Sequence, residues 1–151
     1  MPNPETRQFI ERMGLAMDRL GLNRTFGRIF GLLMVADEPM SLDEMVERLQ
    51  VSKASVSTNA RSCEEFGLAR RVGLRGDRRD YYEIAPHAFE QVTAKRVGAL
   101  HAMAGLAAEG LQAVGEEPSV ARGRLTEMLD FYLFMGEQVE ELLERWREVK
   151  G

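Results

Sequence analysis

Residues 41–84 read SLDEMVERLQVSKASVSTNARSCEEFGLARRVGLRGDRRDYYEI, and the reading of this stretch decides the fold. Ser41 with Glu44 three residues later has the reciprocal pattern of a capping box, so a short helix starts there, with Leu42, Met45, Val46 and Leu49 as its apolar face. Val51-Ser52 makes a turn, and Ser52 caps a second helix over 53–66, stopped by Gly67. In that helix Val56, Ala60 and Cys63 fall at i, i+4 and i+7, a narrow inward stripe, and the outward positions are small and polar. Segments 68–74 and 80–85 read as short strands joined by an Arg-Gly-Asp-Arg turn. A helix, a turn, a second helix and a basic hairpin make a winged helix-turn-helix. The predicted class is therefore mainly α with a small two-stranded β wing.

On the N-terminal side, Phe9, Ile10, Met13, Met17 and Leu20 recur at helical spacing, giving an amphipathic helix ended by Gly21. A second helix runs from the cap Asn23 to about Ala36. Its Gly27 and Gly31 lie four apart on one face, at roughly 1 kcal/mol each against alanine, which predicts close approach by another backbone. Asp37-Glu38-Pro39 closes it. On the C-terminal side, Pro86 opens a long helix over 87–114, with His87 as a helix-start residue, and residues 115–118 break it. In the last helix, 119–149, Leu125, Leu129, Tyr132, Gly136, Val139, Leu143 and Trp146 repeat at 4-3-4-3-4-3 spacing. That is a coiled-coil seam of about three heptads, to be buried against the long helix of the same protomer or across a dimer. The expected organisation is an N-terminal dimerisation helix at 1–22, the DNA-binding domain at 23–85, and a helical dimerisation and effector region at 86–151.

The 151 residues are 44% hydrophobic and 29% charged, enough for an ordinary core in one domain with an oligomerisation extension. No long uncharged apolar run predicts a membrane span, and the start of the chain does not read as a secretion signal. One cysteine excludes an internal disulfide framework and fits a reducing cytoplasm. The net charge of −4 argues against nucleic acid until its distribution is considered. Residues 52–79 carry seven basic side chains against three acidic, whereas residues 109–151 carry ten acidic against five basic. The middle of the chain is the part suited to DNA.

A second helix of this kind enters the major groove with its N-terminal residues against base edges. The positions expected to read bases are Ala54, Ser55, Ser57, Thr58 and Arg61, because hydroxyls exchange hydrogen bonds there and methyls touch thymine. Ser52 and Lys53 are expected at phosphate. On the hairpin, Arg78 is expected in the minor groove, where narrow tracts concentrate negative potential, and Arg75 or Arg79 on phosphate. Asp77 and Asp80 are expected to orient these arginines by ion pairing.

Residues 23–94 resemble the GbsR branch of the MarR-type winged-helix transcriptional regulators. The matching pieces are GRIFGLLMVADEPMSLDEMVERL, VSKASVST and RGDRRDYYEI, in that order. The resemblance implies a homodimer whose terminal helices interlock and whose two recognition helices read a palindromic operator. It also suggests a repressor released by a small effector. Two-fold symmetry would place the second recognition helix about 34 Å along the duplex. The dimerisation residues expected are Leu125, Leu129, Tyr132, Val139, Leu143 and Trp146.

Other readings carry less. Cys63 sits on the inward stripe, which favours a buried hydrophobe over a redox sensor. His87 and His101 lack metal-ligand spacing, and neither a metal nor a cofactor is expected. Phe131, Tyr132, Phe134 and Trp146, with Met103, Met128 and Met135, are either core or the lining of an effector pocket. No P-loop, GxGxxG, GxSxG or HExxH motif is present, so an enzyme is not expected. The alternative to a DNA reader is a winged helix that docks on protein, but its second helix should then be apolar.

Overall fold

The structure, a computed structural model, describes residues 3–151; Met1 and Pro2, the start of the expected 1–22 segment, lie outside the described residues. Six helices and three strands follow in order: α1 Pro4–Arg19, α2 Arg24–Met34, β1 Met40–Ser41, α3 Leu42–Leu49, α4 Lys53–Phe66, β2 Ala69–Gly73, β3 Asp80–Ile84, α5 Ala88–Val114 and α6 Val120–Lys150. The chain divides into two compact units, Met1–Ala88 and Phe89–Gly151. Among the described residues no helix is long and apolar enough to cross a membrane.

In the first unit, Asn3 caps α1 by accepting from the Thr6 amide at 2.8 Å, and Pro4 sits in the first turn, where its missing N–H is harmless. α1 packs on α2 through the paired glycines. A Cβ at Gly27 would lie 2.6 Å from the Met13 carbonyl oxygen and 2.8 Å from Gly14 Cα; one at Gly31 would lie 3.1 Å from Met13 Cβ. The close approach read from the glycine spacing is therefore between α1 and α2, and it builds the N-terminal helix into the same unit as the helix-turn-helix. Phe26, Ile29, Phe30, Met45, Leu49, Val56, Ala60 and Cys63 fill the core below.

The sheet has three antiparallel strands in the order β1-β3-β2. The wing was expected with two. Met40 and Ser41 form the third by pairing with Tyr82 and Tyr81, a contact across some forty residues that a two-residue strand cannot announce by periodicity. Ser41 thus ends β1 and caps α3 at once. Tyr81 and Tyr82, neighbours on β3 and so on opposite faces of the sheet, are both buried. Each ring is covered by a guanidinium: Arg71 lies over Tyr82 at 5.6 Å and Arg79 over Tyr81 at 5.5 Å.

The connection after β3 also differs from expectation. His87 is not in the helix. It takes a positive φ of 54° after Pro86, and the Ala88 amide returns to the Ala85 carbonyl at 3.2 Å, closing a turn with proline at its second position. The helix starts at Ala88.

The second unit holds most of α5 and all of α6. A Cβ at Gly110 would come within 2.8 Å of Leu125 Cδ2, and one at Gly136 within 3.3 Å of the His101 ring. His101 Nε2 lies 2.9 Å from Glu140 Oε1, and Arg147 pairs with Glu90. These partners run in opposite directions along the two helices, so α5 and α6 form an antiparallel hairpin. At the levels of Leu125 and Gly136 the heptad seam closes on α5 of its own chain, and Leu143 is buried within the protomer.

Candidate nucleic-acid interface

Local chemistry fixes the two helices that frame the interface. The Ser41 amide donates to Glu44 Oε2 at 2.7 Å and the Glu44 amide donates back to Ser41 Oγ at 3.2 Å, a complete capping box for α3. Gln50 turns the chain in the left-handed region, at φ 55° and ψ 45°, a conformation that asparagine or glycine adopts more readily. Ser52 Oγ accepts from the Ser55 amide at 3.2 Å and starts α4. Gly67, at φ 93°, ends it.

On α4 the inward stripe is Val56, Ala60 and Cys63, each fully buried. Asn59 joins them, a residue the sequence reading passed over because it is polar, although i+3 from Val56 is a core position. Its Nδ2 donates to the Ser55 carbonyl at 2.8 Å, which satisfies the amide locally. Burial pushes the Cys63 thiol up to about 12, and Sγ lies 3.7 Å from the Phe26 carbonyl oxygen. The neutral thiol is therefore inert in the folded chain. The folded-state value is raised, so its contribution is full below the ordinary thiol range, near 9.0, and is lost as pH climbs toward 12. Iodoacetamide at pH 8 should leave Cys63 unmodified until denaturant is added. Labelling of the native chain at the rate of a free thiol would restore the sensor reading.

Opposite this stripe, Ala54, Thr58 and Arg61 are exposed in one row, with Ser52 and Lys53 exposed at the helix start. Ser57 is half-buried at the edge of that row. Ser55 is also half-buried but turned to the side, with its hydroxyl 3.5 Å from Asn59 Nδ2. Lys53 pairs with Asp43 at 3.0 Å, both side chains largely in solvent, a bond weak enough to exchange for phosphate.

The wing arginines divide into two kinds. Arg70 pairs with Glu83 at 2.6 Å, and Arg71 bridges Glu64 at 3.2 Å and Asp80 at 3.4 Å. Arg79 is held by both oxygens of Asp77, with Nη2 to Oδ2 at 2.8 Å, and it also donates to the Tyr81 hydroxyl at 2.8 Å. Tyr81 in turn donates to Asp77 Oδ2 at 2.6 Å. Hydrogen bonds from Arg79 and then Tyr81 hold the Asp77 carboxyl well below the usual carboxylate range, so the cluster persists through mildly acid pH. The same bond to Asp77 raises the Tyr81 phenol. Asp77 and Asp80 thus orient arginines, as expected, but the ones they hold are Arg79 and Arg71. Arg75 and Arg78 at the tip beside Gly76 (φ 80°), and Arg61 on α4, form no ion pair among the described residues.

The remaining candidates lie in the second unit and on α4. Among the described residues no group of histidines, cysteines and carboxylates can hold a metal. Phe131, Phe134 and Trp146 are each about half exposed, and Phe131 packs edge-on against Tyr132 with ring centroids 5.2 Å apart. Leu129, Tyr132 and Val139 are half-buried along the seam.

Comparison with known proteins agrees with this geometry. A family model described as MarR family matches residues 20–80, and one described as MmpR5-like MarR family transcriptional regulator matches residues 87–149. The HTH-type transcriptional regulator MmpR5 of Mycobacterium tuberculosis is 36% identical over 149 residues, covering 98% of this chain and 90% of that protein. The HTH-type transcriptional repressor GbsR of Bacillus subtilis is 36% identical over 70 residues, 46% of this chain and 38% of its own length. A solved structure titled as a transcriptional regulator superposes with a TM-score of 0.86 at 36% identity, covering 96% of this chain and 99% of that one. These relatives are named as regulators, not as enzymes.

Proposed function

Because the chain belongs to the MarR family of DNA-binding transcriptional regulators, we propose that it acts as a homodimeric repressor reading a palindromic operator. The observation that carries this is a set of three exposed cations, Arg61 on α4 and Arg75 and Arg78 on the wing tip, which form no salt bridge among the described residues, whereas their neighbours Lys53, Arg70, Arg71 and Arg79 do. Ala54, Ser57, Thr58 and Arg61 face base edges in the major groove, with Ser55 at their flank. Arg78 enters the minor groove. Ser52, Lys53 and Arg75 hold phosphate, and Arg79 supports the wing from within rather than meeting the backbone directly.

The dimer draws on the exposed apolar side chains of the second unit, chiefly Phe131, Phe134, Leu142 and Trp146, which are costly to leave in water. Leu129, Tyr132 and Val139 contribute at the edge of the seam, while Leu125 and Leu143 act mainly within the protomer. The whole-length likeness to MmpR5 supports an MmpR5-like regulator over a member of the GbsR branch, and release by a small effector is part of the same reading. The site of action is the cytoplasm.

Selection of bound duplexes from a random pool tests the reading. An inverted repeat with half-sites about one helical turn apart is expected. A pool that yields no common motif sinks the operator reading and favours the protein-docking alternative. On the recovered operator, Ser57→Ala and Thr58→Ala should change base preference with about a tenfold loss for the best sequence and little change on random DNA. Equal losses on both would remove these two from base reading.

A further inference from the structure

Arg28 ties three helices together. It sits on α2, where its Nε donates to Glu11 Oε1 of α1 at 2.9 Å and its Nη2 lies 2.8 Å from the same oxygen. Nη2 also donates to the carbonyl of Leu49 at 2.9 Å. Gly14 opens the route, since a Cβ there would fall 2.7 Å from Arg28 Cγ. Leu49 is the last residue of α3, so its carbonyl is one that a helix leaves without an internal partner. Only Gln50, in its left-handed conformation, and Val51 separate that carbonyl from Ser52, the cap of α4.

We propose that Arg28 is a positioning residue for operator recognition. By clamping the end of α3 to Glu11, it sets the angle at which α4 leaves the turn and meets the groove, although it touches no DNA. A guanidinium suits the task because one planar fork serves a carboxylate and a carbonyl together, whereas a lysine ammonium is a compact point charge. The side chain is mostly buried, which keeps solvent from loosening the clamp. The same bridge links α1 to the end of α3, just ahead of the recognition helix, so a displacement of α1 against α2 is passed to the turn.

The inference rests on the DNA reading proposed above. The test uses the full chain with an operator duplex recovered from the random pool and a scrambled duplex of equal length. Arg28→Met should lower operator affinity roughly tenfold while scrambled-duplex affinity moves by less than about twofold, so the ratio between them falls. Glu11→Ala makes the chain more positive and should raise scrambled binding, yet the operator-to-scrambled ratio should still drop. Arg28→Lys should lie between wild type and Arg28→Met.

A ratio unchanged in Arg28→Met, or equal losses on both duplexes, overturns the proposal, because a merely structural residue would lower the melting temperature without altering discrimination. If Arg28→Met does not fold, Glu11→Ala and Arg28→Lys decide the matter: wild-type ratios in both overturn it. A wild-type chain that fails to discriminate the two duplexes defeats the operator reading itself and this inference with it, whereas discrimination retained in all variants defeats only the role of Arg28.

Discussion

Gly27→Ala should destabilise the first unit by about 2 kcal/mol, even though alanine is the better helix former by roughly 1 kcal/mol. The reason is what the new methyl would meet: the Met13 carbonyl oxygen at 2.6 Å and Gly14 Cα at 2.8 Å. Both are backbone atoms of α1, so neither can rotate away, and the two helices must move apart. Separation opens voids beside Ile10, Phe30 and Leu33, which are buried nearby on the same helices. A fall in melting temperature of about 5 °C or more is expected by circular dichroism. Gly31→Ala is the internal comparison. Its methyl would meet Met13 Cβ at 3.1 Å and Ile10 Cα at 3.3 Å, wider contacts that a small shift of the helices can relieve, so its loss should be distinctly smaller. If the two variants melt alike, the account of Gly27 as the point of closest α1–α2 approach is wrong.

The second large effect belongs to the wing. Arg75→Ala with Arg78→Ala should leave the melting temperature unchanged, since both side chains are exposed and neither holds an acid in place. DNA affinity should fall by about tenfold for each arginine that reaches the duplex. The proposed dimer would lose four such charges, and the slope of log affinity against log salt should then flatten by up to about 3.6. Arg79→Ala is expected to behave differently. It strips Asp77 and the Tyr81 hydroxyl of their partner and uncovers a buried ring, so the wing should loosen and stability and affinity should fall together. Should Arg75/Arg78 and Arg79 variants prove indistinguishable in both readouts, the division into free and bracing arginines fails.

That division marks where local sequence stops being sufficient. The turn Arg75-Gly76-Asp77-Arg78-Arg79 reads as a basic tip, and charge counting treats its three arginines as equals. Which one is bound depends on Tyr81 lying beside Asp77, and that is set by the strand register pairing Gly73 with Asp80. Asn59 was passed over for a similar reason: its side chain is polar, and only the packed helix reveals that its amide is satisfied by the Ser55 carbonyl.

Signals within about four residues determined the rest: the capping box at Ser41 and Glu44, the cap at Ser52, the stop at Gly67, the inward stripe of Val56, Ala60 and Cys63, and the glycines that demand a close neighbour. Each is a local rule of hydrogen bonding or helical period, and these placed the recognition helix and the wing. Tertiary structure alone decided the third strand at Met40, the neighbour that Gly27 touches, the contact of Leu125 and Gly136 with α5, and the reach of Arg28 to Leu49. Those contacts join residues distant along the chain, and no periodicity encodes a partner that only folding brings within reach.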